Sequence, residues 1–275
     1  MNDAFHLQWH RWPAENPRGA LVVAHGIGEH GGRYGHFVSA LNGAGISVFA
    51  FDQRGHGLSP GKRGHINSWS EYRDDLAGFL ALIRGREEFL SGKSRPAAPV
   101  FLFGHSMGAM VVLDFLIERP GEAAAAIVCG APVQPAEVAN PFLIFLARIF
   151  SRIWPTFTMK LGIKADQLSR DENVNKDSKD DPLNHRLISA RWGTEILATI
   201  ERVKNRAAEI RTPLLVLHGG ADRINHPDGS RWLHDHVSSV EKKLIVYDGA
   251  HHEVHNDLCR DQVIADISEW LGPRL

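Results

Sequence analysis

The sequence predicts an α/β fold in which a mostly parallel sheet carries helices on both faces. Short runs that are apolar at nearly every position recur at residues 20–24, 46–51, 100–103, 125–129, 214–217 and 244–247, each followed by Gly, His or Asp. Helix-length stretches separate most of them, among them 37–42, 70–84, 107–118 and 227–236. A strand with apolar side chains on both sides needs cover on both faces, and helices that return the chain to a parallel neighbour supply it. The third observation is the run PVFLFGHSMGAMVVLDFLIE at 99–118, where a β-prone segment passes through a glycine-flanked turn straight into a helix-prone one.

Taken in order, the opening segment 5–12 alternates in polarity and suits an antiparallel edge strand, and the six apolar runs supply the parallel strands. The last helix is expected over 259–271, with Val263, Ile264, Ile267, Trp270 and Leu271 at helical spacing. From Pro132 to about Glu209 no strand-like run occurs, a separation far longer than a crossover between sheet neighbours requires. That interval holds two apolar helix-like stretches, 141–154 and 186–203, around a polar segment at 168–182. It reads as a helical cap at 132–209 inserted into a core made of 1–131 and 210–275.

A chain of 275 residues is long enough for a large core, and 43% hydrophobic with 23% charged residues is an ordinary globular composition. A net charge of −1 argues against a broad nucleic-acid surface. No apolar run approaches the ~18 to 20 residues that span a bilayer. The opening MNDAFHLQWHRW lacks the basic-then-apolar pattern of a secretory leader. Two cysteines, Cys129 and Cys259, form no disulfide framework and suit a reducing compartment, so the expected location is cytoplasmic. Nothing in the sequence requires an obligate protein partner.

Ser106 lies in Gly-His-Ser-Met-Gly between strand and helix, the context of a nucleophile elbow, with Gly104 and Gly108 where the two backbones nearly collide. The plain alternative for Ser106 is a helix N-cap. A serine nucleophile needs an acid, then a histidine, after later strands in that chain order. Asp222 follows 214–217 in LLVLHGGADRI; Asp228 is the competing acid, though it looks like the N-cap of the next helix. After Tyr247 stand His251, His252 and His255. His251 and His255 have the spacing of metal ligands on one helix face, but HExxH fails and no third ligand converges, so no metal is expected. His25, His56 and His105 read as structural residues of glycine-rich turns, and Asp52 with Arg54 as a structural ion pair. In ALVVAHGIGEHGGRY the glycines let backbone amides face the strand ends, which places oxyanion donors at Ile27 and, after the nucleophile, Met107. The same loop matches GxGxxG, with Asp52 at dinucleotide spacing, but Glu29 would set a carboxylate against the pyrophosphate and the other groups would have no role. No cofactor is expected.

HGIGEHGGRY, FDQRGHGLSPGKRGHI at 51–66, GHSMGA, LSRD, DDPLNHRLISARW at 180–192 and YDGAHHEVHND resemble the monoacylglycerol lipases of the α/β-hydrolase superfamily, from about Phe5 to the C-terminus. The resemblance implies an α/β-hydrolase fold and a serine hydrolase that cleaves monoacylglycerols to fatty acid and glycerol. It puts the catalytic residues on Ser106, Asp222 and His252, the oxyanion donors on Ile27 and Met107, and the polar contacts to glycerol on Glu29 and Arg33. Ala109 and His251 depart from the family pattern. A lysophospholipase or broad carboxylesterase is the alternative, and a catalytically silent binding module the alternative from another class. Glu29, with no strongly basic pocket motif in view, favours an uncharged glycerol over a phosphate head group. The stretch 142–154 is apolar almost all round; Phe145 and Ile149 are expected to wall an acyl tunnel, and the cap to touch a membrane surface peripherally.

Overall fold

The computed structural model describes residues 6–86, 98–135 and 141–275. Among them are nine strands: β1 (Trp9–Trp12), β2 (Gly19–Ala24), β3 (Ile46–Phe51), β4 (Val100–His105), β5 (Ala125–Cys129), β6 (Thr158–Lys160), β7 (Leu187–Ser189), β8 (Leu214–Gly219) and β9 (Lys242–Tyr247). Seven form one sheet in the order β1-β3-β2-β4-β5-β8-β9, parallel throughout except for β1, which pairs antiparallel with β3 at the edge. The fold is the expected α/β-hydrolase architecture, and the edge strand is shorter than the alternation at 5–12 suggests.

The both-sides-apolar runs do what burial demands of them. Along β2, Ala20, Val22 and Ala24 enter one buried cluster while Leu21 and Val23 enter the other. Helices α2 (Ser70–Arg84) and α3 (Met107–Glu118) cover the first face; α1 (Val38–Gly43) and α8 (Arg260–Leu271) cover the second. The chain leaves β2 for β3 on one side and β4 for β5 on the other, so the sheet changes direction between β2 and β4. In such sheets the crevice for ligand lies beyond the carboxyl ends of the strands at that switch. The loop carrying Ile27 and the turn carrying Ser106 occupy those two ends.

The interval between β5 and β8 contains α4 (Pro141–Ile153), β6, α5 (Glu172–Asp180), β7 and α6 (Ala190–Arg206). Two short strands therefore stand where none was expected: β6 pairs antiparallel with β7. The helix expected from 186 begins at Ala190 because Ser189, after its strand, caps it by accepting from the Trp192 N–H at 3.1 Å. The inner face of α6, with Trp192, Ile196, Ile200 and Val203, belongs to the same buried cluster as the sheet and α3. Residue 209 thus marks no break in packing.

Polar bonds tie this interval to the core. The N–H of His185 donates to Gly28 O and that of Ser189 to Gly64 O, both at 2.8 Å. On the other side the Glu253 N–H donates to Leu168 O at 2.8 Å, and Arg170 pairs with Asp257 at 2.7 Å. Cys129 is buried and Cys259 half-buried, both as free thiols. Among the described residues no helix is long and apolar enough to cross a membrane.

Candidate active site

Ser106 sits between β4 and α3 with φ 51°, the one non-glycine residue with positive φ among those described. A side chain in that region stores about 1–3 kcal/mol of strain, sustained only where the surroundings enforce it. Here they do. A Cβ on Gly104 would lie 2.5 Å from Gly108 O, and one on Gly108 would lie 1.9 Å from Ala24 O. The Ser106 N–H is held by Cys129 O at 2.8 Å. Its side chain makes no capping bond to α3, so the N-cap alternative does not describe this serine. Met107 opens α3, where backbone amides lack partners within the helix.

The loop after β2 is fixed by two buried side chains. His25 Nε2 accepts from the Gln53 N–H at 2.9 Å, leaving Nδ1–H to donate to Gly26 O at 2.7 Å. Burial holds this imidazole below the ordinary histidine value, in its neutral form. Glu29 Oε1 accepts from the Gly26 N–H at 2.5 Å and from Tyr34 OH at 2.8 Å. Gly28 has φ 78°, and a Cβ there would strike His185 O at 2.1 Å. Ile27 is therefore presented between the core and the inserted segment by a loop with no slack.

Asp222 and His252 meet from the ends of β8 and β9. His252 Nδ1 lies 2.7 Å from Asp222 Oδ2. The other carboxylate oxygen accepts from the backbone N–H groups of Ile224 at 2.8 Å and Asn225 at 3.0 Å. His218, fully buried in β8, lies with Nε2 2.9 Å from Asn225 O and 3.1 Å from Asp222 Oδ2, and its Nδ1 is 2.7 Å from Ser230 Oγ. Since a carbonyl only accepts, Nε2 carries the proton and Nδ1 takes the serine's hydrogen. Burial opposes both charges of the His252–Asp222 pair. Their attraction outweighs it, raising His252 above the ordinary histidine value and holding Asp222 well below the usual carboxylate range.

The competing residues go elsewhere. Asp228 is exposed in the first turn of α7 (Pro227–His236), beside His226, and His226 rather than Asp228 is the N-cap. His251 is half-buried; its backbone N–H donates to Asp257 Oδ2 at 3.1 Å, and its ring makes no bond to Asp222. His255 is buried with its Nδ1 3.8 Å from Cys129 Sγ. The suggested His251–His255 pair does not form; the described residues that bring three potential metal ligands together are His105 with Cys129 and His255, and His10 with His30 and Asp52. Asp52 does not pair with Arg54. Against the pull of burial, His10 at 3.4 Å and the Leu58 and Gly31 N–H groups, both donating to it at 2.8 Å, hold it down at about 2. Arg54 forks onto Asp75 at 2.6 Å.

Two cavities meet at this serine, sharing Ile27, Ser106, Leu161 and Ile163. One, of about 460 Å³, is polar: Glu29, Arg33, His252 and Glu253 line its inner part. Arg33 donates to Glu29 Oε2 at 2.5 Å and forks onto Glu253 at 2.8 and 3.1 Å. Burial opposes these charges, but the shared guanidinium keeps both carboxylates below their usual range. The other, of about 380 Å³, has one aliphatic wall, made by Trp192, Ile196, Leu197 and Ile200 of α6 with Ile224 and Met107, while Lys164, Gln167, Arg223 and Asn225 also line it. Phe145 and Ile149 line neither. Phe145 is 58% and Ile149 37% exposed, on the outer side of α4, because α4 packs on α6 through its opposite face. Residues of α6, not these two, line the cavity beside Ser106. Glu253 escaped the sequence reading, although its place directly after His252 is the signal that marks it; His218 left no signal beyond ending an apolar strand.

A doubly wound sheet with a strained serine after β4, an acid after β8 and a histidine after β9 defines an α/β-hydrolase, and the chain is a hydrolase. Residues 15–259 match the family Hydrolase_4, described as serine aminopeptidase, S33, and the chain belongs to it. A monoacylglycerol lipase of Mycolicibacterium smegmatis is 34% identical over 264 residues, covering 96% of this chain and 91% of that protein. A monoglyceride lipase of Homo sapiens is 31% identical over 271 residues, covering 95% and 85%. The crystal structure of a monoacylglycerol lipase from Paleococcus ferrophilus superposes with a TM-score of 0.88 at 33% identity, covering 98% of this chain and 99% of that one.

Proposed function

We propose that the protein hydrolyses monoacylglycerols to fatty acid and glycerol through an acyl-enzyme on Ser106. The observation that carries this is the meeting, at one strained serine, of a cavity with an aliphatic wall and a cavity lined by Glu29, Arg33 and Glu253, which sorts the two halves of a monoacyl ester to opposite sides. The acyl chain enters the α6 cavity. The glycerol hydroxyls face Glu29, Arg33 and Glu253. His252 takes the Ser106 proton as Oγ attacks the ester carbonyl, and Asp222 holds the imidazole in the tautomer that can accept it. The oxyanion rests on the Ile27 and Met107 amides, and His252 passes its proton to the departing glycerol oxygen. Water then repeats the sequence on the acyl-enzyme.

An aminopeptidase has to hold a free ammonium group beside its nucleophile. Both carboxylates on the cavity wall are already bound to Arg33, which supports an ester substrate over an amine. Segment 132–209 acts as a cap over the strand ends. On its outer side Phe145, Ile149 and Ile153 form one stripe along α4 with exposed Trp154, and exposed Arg148 and Arg152 lie beside it, a pattern suited to an anionic lipid surface. The test is hydrolysis of monooleoylglycerol and labelling by a fluorophosphonate. Both should vanish in Ser106→Ala with the circular dichroism spectrum unchanged; labelling that persists removes Ser106 from the mechanism.

A further inference from the structure

The polar cavity is larger than its proposed occupant. At about 460 Å³ it falls in the range that holds a drug-sized ligand, whereas glycerol brings only three carbons and three oxygens. Its mouth also carries charge that no carboxylate among the described residues pairs with. Lys160 of β6, Lys179 of α5 and Arg186, just before β7, all line it. None of the three has an ion pair or side-chain hydrogen bond among the described residues. The carboxylates of α5 nearest in sequence to Lys179 (Glu172, Asp177 and Asp180) do not line the cavity and make no pair with it. Most other arginines near the core are spent on carboxylates, as Arg33, Arg54, Arg170 and Arg202 are.

Polarity is thus ordered along the cavity. The inner part by Ser106 and His252 holds two carboxylates against one guanidinium and repels an anion, while the mouth presents three free cations. A head group matched to that order has hydroxyls next to the ester and a negative charge beyond them. Resting on the ester-hydrolase reading above, we infer that the polar cavity takes monoacyl lipids whose glycerol carries a phosphate, with the phosphate at Lys160, Lys179 and Arg186. The reaction cleaves the acyl carbon–oxygen bond with water, releasing fatty acid and glycerol 3-phosphate, and the leaving oxygen receives its proton from His252. The three cations come from three separate segments, β6, α5 and the stretch before β7, and form no motif that a reading of the sequence could pick out.

The test uses substrates short enough to remain monomeric, so that attraction to a charged lipid surface plays no part. kcat/KM is measured for 1-hexanoylglycerol and for 1-hexanoylglycerol 3-phosphate, in the wild type and in the triple variant Lys160→Ala, Lys179→Ala, Arg186→Ala. The wild type should hydrolyse the phosphate ester at least as well as the neutral one. The triple variant should lower the phosphate-to-neutral ratio about ten- to a hundredfold, with each exposed ion contact contributing a few-fold, and the charge-conserving variant Lys160→Arg, Lys179→Arg, Arg186→Lys should restore it. Added salt should depress the phosphate ester selectively. Inorganic phosphate and glycerol 3-phosphate, tested as inhibitors of the neutral ester, separate a lipid head group from a free anion: inhibition by either without turnover of the phosphate ester overturns the proposal. A ratio unmoved by the triple variant also overturns it. Should neither ester be hydrolysed, the ester reading fails by itself, and calorimetry with the non-hydrolysable hexyl ether of glycerol 3-phosphate still reads the site. Equal affinity for wild type and triple variant then rejects the anion site.

Discussion

The loops at the strand ends and the insertion above them meet at one serine, yet they are held by opposite kinds of interaction. In the loops, groups around Ser106 are fixed by buried partners: His25 on Gln53, Glu29 on Gly26 and Tyr34, Asp222 on two backbone amides and two histidines. The segment between β5 and β8 contributes an aliphatic wall, an exposed apolar stripe and cations without partners among the described residues. A group in a satisfied buried network cannot be altered without stranding its neighbours, whereas a packed wall or a free charge can change by degrees. Substitutions in the loops should therefore strike turnover, and those in the insertion should redistribute preference among substrates.

The largest effect is expected at Asp222. Asn at that position keeps the shape but can present an amide hydrogen to Nδ1 and stabilise the wrong tautomer of His252, so kcat on a soluble short-chain ester should fall about 10⁴-fold. Ester hydrolysis with circular dichroism as the fold control measures it, and a loss below tenfold would break the contrast between the two regions. The same pair fixes the pH response. His252 must be neutral to accept the serine proton, so the rate falls as pH drops through its pKa. Because Asp222 raises that pKa, the acid limb of kcat should have its midpoint above the ordinary value near 6.5, with roughly a hundredfold loss two units below it. In Asp222→Asn the residual activity should titrate at lower pH; a limb that stays in place assigns it to another group.

How much of this was readable beforehand divides along the same line. Strands β2 to β5 and β8 are almost wholly apolar runs, and the groups of the loops lie within a few residues of a strand end, so chain order and glycine spacing pointed to Ser106, to Asp222 ahead of Asp228 and to a cluster of histidines, among which the resemblance to monoacylglycerol lipases singled out His252. β6 and β7 span three residues each, too few for a periodicity to register. The outward face of α4 was invisible because the helix is apolar nearly all round, and only its packing on α6 decides which side meets solvent. Arg33 and Glu253 lie 220 residues apart, and their pairing exists only once the sheet has formed.

Within the insertion, the acyl wall should give the next effect. Ile196→Trp and Ile200→Trp narrow the cavity along α6 without touching the groups on Asp222 or His252. Long-chain monoacylglycerols should lose about tenfold in kcat/KM relative to butyryl esters, since each methylene kept in water costs ~0.8 kcal/mol. A chain-length series checks this. Equal losses at all lengths would mean that the acyl chain does not lie along α6.

The smallest effect is expected at the outer stripe, and it sharpens the contrast most because Phe145 touches neither cavity. Phe145→Asp removes an exposed ring from the N-terminal end of the stripe and adds a negative charge beside Arg148. Such a side chain buries only part of its surface in a lipid interface, so the loss in partitioning to vesicles rich in phosphatidylglycerol should be about fivefold, smaller than the ~1.5–3 kcal/mol of full burial. Sedimentation with the vesicles measures it, alongside hydrolysis of a monomeric butyryl ester as the control. If Phe145 walled an acyl tunnel, the same substitution would depress long-chain hydrolysis in detergent solution, where no vesicle is present. Loss of binding to vesicles with detergent kinetics intact places the residue on the surface. The reverse result would return it to the cavity and require α4 to rotate from the face it presents here.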